Sequence, residues 1–309
     1  MKIRKAKNSD KKEVLDFCKN TFNWGDYIDR VWDFWENDLS GLLLVYEFYD
    51  NDKLESHPIA ISHISVCPNN FLWIEGMRVN IKYRNQGISS SLLKYMLDFG
   101  LEKGLKEASA IVSFSNIASQ KMLEKQGFYQ LFKLKYYNID LKKIDKTLYS
   151  SMQIKLKLKI PHFKDIPFII DYLSNSKFSK YMNNHYFSSW KFYKFENTFS
   201  SLSSLIFNNK ILLIIDGINH INGILIINLI DNNDIFNKKP LVQICYLDCL
   251  NYKAYIEVIN LLISVYSDNE LYHNIQFFLP DFINLKNQLS SESTDYFEQF
   301  FLYSKKLII

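Results

Sequence analysis

W-I-E-G-M-R-V-N-I-K-Y-R-N-Q-G-I-S-S-S-L-L, running from Trp73 to Leu93, reads in three parts. Ile74, Met77 and Val79 are bulky and apolar, which suits a buried strand. Arg84, Asn85, Gln86, Gly87, Ile88 and Ser89 break that pattern. From Leu92 the apolar residues Leu92, Leu93, Met96 and Leu97 recur at helical spacing. A strand thus feeds a glycine-bearing basic loop into a helix N-terminus. The first turn of a helix leaves backbone N–H groups without partners, and the helix dipole adds partial positive charge there. Such a terminus can seat a phosphate. Gly87 would let the backbone approach an anion, Ser89, Ser90 and Ser91 could donate hydroxyls, and Lys82 and Arg84 add full charge. Spacing alone serves equally well a tight turn at Gly87 with serines capping the helix.

Two motifs resolve that tie. Arg84-x-x-Gly87-x-Ser89 resembles the R/Q-x-x-G-x-G/A pyrophosphate loop of the GNAT N-acetyltransferase superfamily. Met77-x-Val79 resembles that family's L-x-V strand, and Tyr83-Arg84 its Y-R pair. Downstream, N-I-A-S-Q-K-M-L-E-K-Q-G-F from Asn116 to Phe128 resembles the family's N-x-x-A/S-x-x-L-Y-E-K-x-G-F segment. Ser89 replaces the usual small residue, and Leu123 stands where many members carry tyrosine. The resemblance implies an α/β (α+β) fold, a mixed and mostly antiparallel twisted sheet flanked by helices, with acetyl-coenzyme A as cosubstrate. By resemblance the cofactor contacts fall on Met77, Arg78, Val79, Arg84, Asn85, Gln86, Gly87, Ile88, Ser89, Ser90, Asn116 and Ser119. Lys121 and Lys125 read as a solvated face.

Glu75 is the expected general base. It precedes the Met77-x-Val79 pair on the central strand, among apolar neighbours, where a carboxylate is suited to proton abstraction through water. The competing reading is a structural carboxylate paired with Arg78 or Arg84. Leu123 cannot donate a proton, so Tyr95, Tyr129 or a water would protonate the leaving thiolate. His63 on the preceding strand ranks low, since a lone strand histidine is more often structural. Trp24, Asp26, Tyr27, Trp32 and Trp35 border the acceptor region in the family; Trp32 and Trp35 are read as sheet packing. Asp26-Tyr27-Ile28 together with Ile74 to Val79 resembles the histidine N-acetyltransferase branch. That likeness implies a small amine or amino acid as acceptor, with Tyr27, Glu75 and Arg78 in contact with it and Arg78 taking a carboxylate.

Composition is permissive. A chain of 309 residues, 48% hydrophobic and 23% charged, is long enough for two globular domains. The net charge of +4 is too mild to argue for nucleic acid. No apolar run is long enough to span a bilayer, and Met1-Lys2-Ile3-Arg4 lacks a secretory core, so a cytoplasmic enzyme is expected. Cys18, Cys67, Cys245 and Cys249 fit no zinc spacing, and no metal is expected.

The order of strands and helices places a GNAT catalytic domain over 1–140 and a polar linker after it. Over 152–309 a strand-helix-hairpin-strand-helix-strand-helix order echoes the first half, ending in a short helix at Ile283–Leu289. Its Leu-Asp-Cys-Leu-Asn-Tyr segment at 247–252 carries no glycine, so a degenerate GNAT-like or other α+β domain without the pyrophosphate loop is expected. The alternatives are a protein N-terminal or lysine acetyltransferase, acting on an open peptide groove, and a non-catalytic coenzyme A sensor. A monomer or homodimer suits any of these.

Overall fold

The computed structural model describes residues 2–22, 25–50, 55–145, 154–231, 239–285 and 294–308. Trp24 lies outside them. The chain divides into two compact units, one of residues 1–131 with 301–309 and the other of residues 132–300.

In unit 1 the strands are β1 (Lys2–Lys5), β2 (Gly41–Asp50), β3 (Glu55–Cys67), β4 (Phe71–Val79) and β5 (Glu107–Ser113). They pair in that order, and the C-terminal strand β14 (Thr294–Lys306) follows β5. The pairs are antiparallel from β1 to β4, while β4 and β5 run parallel. Helices α1 (Lys11–Cys18) and α2 (Ile28–Glu36) precede the hairpins, α3 (Ile88–Glu102) links β4 to β5, and α4 (Ile117–Lys125) follows. Leu92, Leu93 and Met96 of α3 are fully buried against Ile64, Leu72 and Ile74 of the sheet. Each such side chain contributes roughly 1.5–3 kcal/mol, so the helix that carries the loop is fixed by its apolar stripe.

The unit boundary falls at Leu131 rather than at Asp140, where the sequence places it. The cause is β6 (Tyr129–Asp140), whose Leu134 to Asp140 pair antiparallel with Pro280 to Asn274 of β13 (Asn274–Pro280). Unit 1 instead takes Phe301–Ile309. There the Leu307 N–H donates to Lys106 O at 2.9 Å, and the Ser304 hydroxyl donates to Glu107.

Unit 2 repeats the plan. Its strands lie in the order β7 (Lys157–Lys159), β10 (Ile211–Ile215), β11 (Ile221–Ile230), β12 (Leu241–Cys249), β13, β6. As β4 and β5 do in unit 1, the fourth and fifth run parallel, and the other neighbours here are antiparallel. A register shift at Ile226/Ile227 leaves Cys245 as an extra residue on β12. Helix α5 (Ile166–Asn175) stands where α1 does, and α8 (Tyr252–Ser267) where α3 does. The same order of strands and helices thus occurs in both units. A helix α6 (Lys177–Met182), a hairpin of β8 (His185–Ser188) and β9 (Lys191–Lys194), and α7 (Phe199–Phe207) lie between α5 and β10 and were not anticipated. Ile283 to Leu285 are not helical, and the remainder of the expected helix lies outside the described residues.

One buried carboxylate in unit 2 makes its stability depend on pH. Asp248 of β12 is 1% exposed, with Tyr172 Oη 3.2 Å from Oδ1 and Tyr246 Oη 3.4 Å from Oδ2. Burial pushes its carboxyl up to about 6, against hydrogen bonds from Ser176, Tyr172 and Tyr246 that pull it down. A raised folded-state value means that the native state holds the proton better than the unfolded chain does. The stabilisation is complete below the unfolded value and is lost as pH rises through about 6. Denaturant unfolding at pH 4, 5, 6 and 7 should show parent stability, relative to Asp248→Asn, falling by about 1–3 kcal/mol between the ends of that range. A constant difference across the series would refute the assignment.

Candidate active site

The site begins with a defect in the β3–β4 ladder. His63 pairs with Glu75 and Ile61 with Arg78, so Gly76 and Met77 together oppose Ser62 alone. The Ser62 hydroxyl donates to Glu75 O at 3.2 Å. Gly76 has φ +67°, and a Cβ there would stand 2.4 Å from the ring of Trp35, so only glycine fits. Strict alternation would set Glu75 and Met77 on one face. The extra residue sets Glu75 and Arg78 there instead, opposite His63 and Ile61.

The other edge of β4 opens. Its parallel pairing with β5 covers only Phe71 to Trp73 against Glu107 to Ser109. The Asn80 N–H donates to Ile59 O at 2.9 Å, toward β3. Alternation then turns the Val79 N–H away from β3, toward the opening.

The loop follows at once. Asn80 caps a short 3₁₀ turn (Ile81–Tyr83), and Arg84 Nε donates to Val79 O at 3.1 Å. Asn85 and Gly87 both take positive φ. Gly87 is the N-cap of α3 and offers no side chain to it. The first intrahelical bond is Ser91 N–H to Gly87 O, 2.9 Å, which leaves the amides of Ile88, Ser89 and Ser90 ahead of it. A Cβ on Gly87 would meet nothing within 4 Å, so no side chain crowds the start of the helix there. The equivalent helix of unit 2 is closed: Asn251 Oδ1 accepts from Ala254 N–H at 3.0 Å.

On the face shared by Glu75 and Arg78, two charge clusters form. His63 is fully buried. Its Nδ1 lies 3.1 Å from Glu75 Oε1. Its Nε2 stands 3.3 Å from Asp38 Oδ2 without meeting hydrogen-bond geometry. The Trp35 ring stacks on the imidazole at 4.6 Å, 5° from parallel. Burial pushes the Asp38 carboxyl up, but contacts with His63 and with the Ser40 N–H and hydroxyl win and hold it well below the usual carboxylate range. Ser65 Oγ donates to its other oxygen at 3.2 Å.

In the second cluster Arg78 Nε and Nη2 donate to the two oxygens of Asp26 at 2.7 and 3.2 Å, and Nη1 donates to Met77 O. The guanidinium lies over the rings of Phe22 and Tyr27, 5.0 and 5.2 Å from their centroids. Asp26 also accepts from the Tyr27 N–H at 2.7 Å at the start of α2. Burial raises the Tyr27 phenol, with Arg78 opposing and Glu75 and Asp26 reinforcing the shift. Burial also pushes the Cys18 thiol up to about 12, so it is a packed thiol rather than a nucleophile.

Asn116 caps α4, its Oδ1 accepting from the Ser119 N–H at 3.1 Å. Leu123 is 2% exposed and belongs to the core. Tyr95 and Tyr129 are both exposed, and Trp32 and Trp35 are buried. Sequence reasoning did not single out Asp38 and ranked His63 low; the structure brings the two within 3.3 Å. The only local signal was Asp38-x-Ser40, the spacing of a side-chain turn.

An open strand edge thus leads directly to a helix N-terminus that no side chain caps. Residues 11–128 match the Acetyltransferase (GNAT) family, so the chain carries a GNAT acetyltransferase domain. No curated protein matches it. Among solved structures, a GCN5-related N-acetyltransferase from Sphaerobacter thermophilus is similar at TM-score 0.62 and 11% identity, over 100% of this chain and 96% of that one. A provisionally assigned acetyltransferase from Thermoplasma acidophilum gives TM-score 0.57 at 15% identity, over 99% and 100%. A tandem GNAT protein from the clavulanic acid biosynthesis pathway gives 0.51 at 8%, over 100% and 99%. These likenesses speak to fold.

Proposed function

We propose that the protein is an acetyl-coenzyme A-dependent N-acetyltransferase acting on a small amine, by direct attack within a ternary complex. One observation carries this reading: the amides of Ile88, Ser89 and Ser90 precede the first bonded turn of α3, and the side chain that would cap them is absent at Gly87. That cradle suits a diphosphate. Gln86, Gly87, Ile88, Ser89 and Ser90 would hold it, with Arg84 and Asn85 beside it. The backbone of Met77, Arg78 and Val79 at the open edge of β4 would hold the pantetheine arm. The Asn116 amide nitrogen and the Ser119 hydroxyl, which the α4 cap does not use, would meet the same arm.

The bound coenzyme supplies an activated acetyl thioester. Glu75 takes the proton from the attacking amine, directly or through a water. Amides along β4 donate to the carbonyl oxygen as it gains charge. Arg78 enters as a supporting wall rather than a carboxylate clamp, because Asp26 fills its fork. With Phe22 and Tyr27 over it, that wall favours an acceptor chosen by its ammonium and apolar body. The four cysteines are free and buried, which suits a reducing, cytoplasmic setting. No helix among the described residues is long and apolar enough to cross a membrane.

Titration calorimetry with acetyl-coenzyme A, then a thiol-release assay across amino acids, polyamines and peptides, tests the proposal. Binding is expected, with turnover on at least one small amine. Absence of binding would overturn it. Turnover on peptides alone would indicate protein acetylation, and binding without turnover on any amine would indicate a sensor.

A further inference from the structure

We infer that His63 and Asp38 are positioning residues that fix Glu75 as the base; this rests on the function proposed above. The three side chains form a line from Asp38, in the loop before β2, through His63 of β3 to Glu75 of β4. Asp38 lies at one end, held by the Ser40 N–H at 2.8 Å, the Ser40 hydroxyl at 2.7 Å and the Ser65 hydroxyl at 3.2 Å. Three donors on one carboxylate make it a fixed anion. The His63 ring lies between this anion and Glu75, with Nε2 3.3 Å from Asp38 Oδ2 and Nδ1 3.1 Å from Glu75 Oε1, and so holds the Glu75 carboxylate in place.

Burial makes the arrangement rigid. The His63 side chain is fully buried, and those of Asp38 and Glu75 are 10% and 9% exposed. Trp35 covers the imidazole face. The other charged or titratable groups near Glu75 on this face are Tyr27 and the closed Arg78–Asp26 pair. The ring nitrogens point at separate carboxylates, so the three groups do not converge as ligands would. Among the described residues no metal-holding group of such side chains occurs. In the reaction the amine N–C bond would form as the thioester C–S bond breaks and the coenzyme leaves as thiolate. The amine proton would pass to the Glu75 carboxylate and on to water, which returns a proton to the thiolate, while His63 and Asp38 only hold Glu75 in place.

A residue that acts only through Glu75 should lose its effect when Glu75 is gone. The test is a double-mutant cycle on kcat with the best acceptor from the thiol-release panel. His63→Gln and Asp38→Asn should each lower kcat about 10-fold or more while leaving the KM for acetyl-coenzyme A within about twofold. In a Glu75→Gln background each should cost less than about twofold further. Losses that multiply in that background, or single variants with parental kcat, would overturn the inference. Circular dichroism melts check folding, and the near-isosteric Asp38→Asn carries the cycle if His63→Gln does not fold. A fully active Glu75→Gln would instead remove the base role itself, an outcome distinct from a multiplicative cycle.

Discussion

Glu75→Gln is expected to lower kcat by about 10²–10⁴-fold, the usual contribution of a positioned general base. The amide keeps the size of the carboxylate and can still meet His63 Nδ1, so the surrounding packing should hold. Affinity for acetyl-coenzyme A should stay within about twofold, because the proposed coenzyme contacts lie on the backbone of β4 and on α3. A second signature separates lost base chemistry from general damage. As pH approaches the acceptor's own pKa, solvent supplies neutral amine, and the gap between parent and variant should narrow. Steady-state kinetics across pH, with calorimetry on each protein, reads both effects. Parental turnover for the variant would remove Glu75 from the mechanism. A gap that stays constant with pH would point to a role in placing the acceptor rather than in taking its proton.

What was legible beforehand was whatever is encoded locally. The run from Tyr83 to Leu93 carries its own turn chemistry, its positive-φ glycine and its helical stripe, so strand, loop and helix could be placed without tertiary information. The absence of glycine between Leu247 and Tyr252 was equally local, and in the structure that segment ends in a helix capped by Asn251. The Asp38–His63–Glu75 line was not legible. It joins residues from three segments, and their approach depends on the registers of β2 on β3 and β3 on β4. No spacing rule relates Asp38 to Glu75. The redistribution of the strands was hidden for the same reason. Tyr137 pairs with Phe277, and Lys106 receives Leu307, partners far apart along the chain. The partner of Arg78 was hidden for the same reason: Asp26, a long way off in sequence, accepts from its guanidinium.

Gly76→Ala should be among the most destabilising single changes in unit 1, because two costs coincide. An alanine at φ +67° is strained by about 1 kcal/mol or more. Its methyl would also lie 2.4 and 2.5 Å from two ring atoms of Trp35. Trp35 is 1% exposed and stacked on His63, so it cannot swing away cheaply. Overpacking of that kind costs about 1–3 kcal/mol. Together they give about 3 kcal/mol, or a melting temperature lower by about 10 °C. Gly87→Ala supplies the internal comparison: its φ is +77°, but nothing lies within 4 Å of the added methyl, so it should show the strain alone. The two effects can be divided further with Trp35→Phe. The smaller ring lacks both atoms that the methyl meets, so Gly76→Ala should cost less in that background than in the parent. A cost independent of the ring at position 35 would mean that backbone conformation alone demands the glycine. Dependence on the ring would tie the bulge, the tryptophan and the imidazole beneath it into one packed unit. A change two bonds from Glu75 would then reach its carboxylate by moving Trp35 and His63.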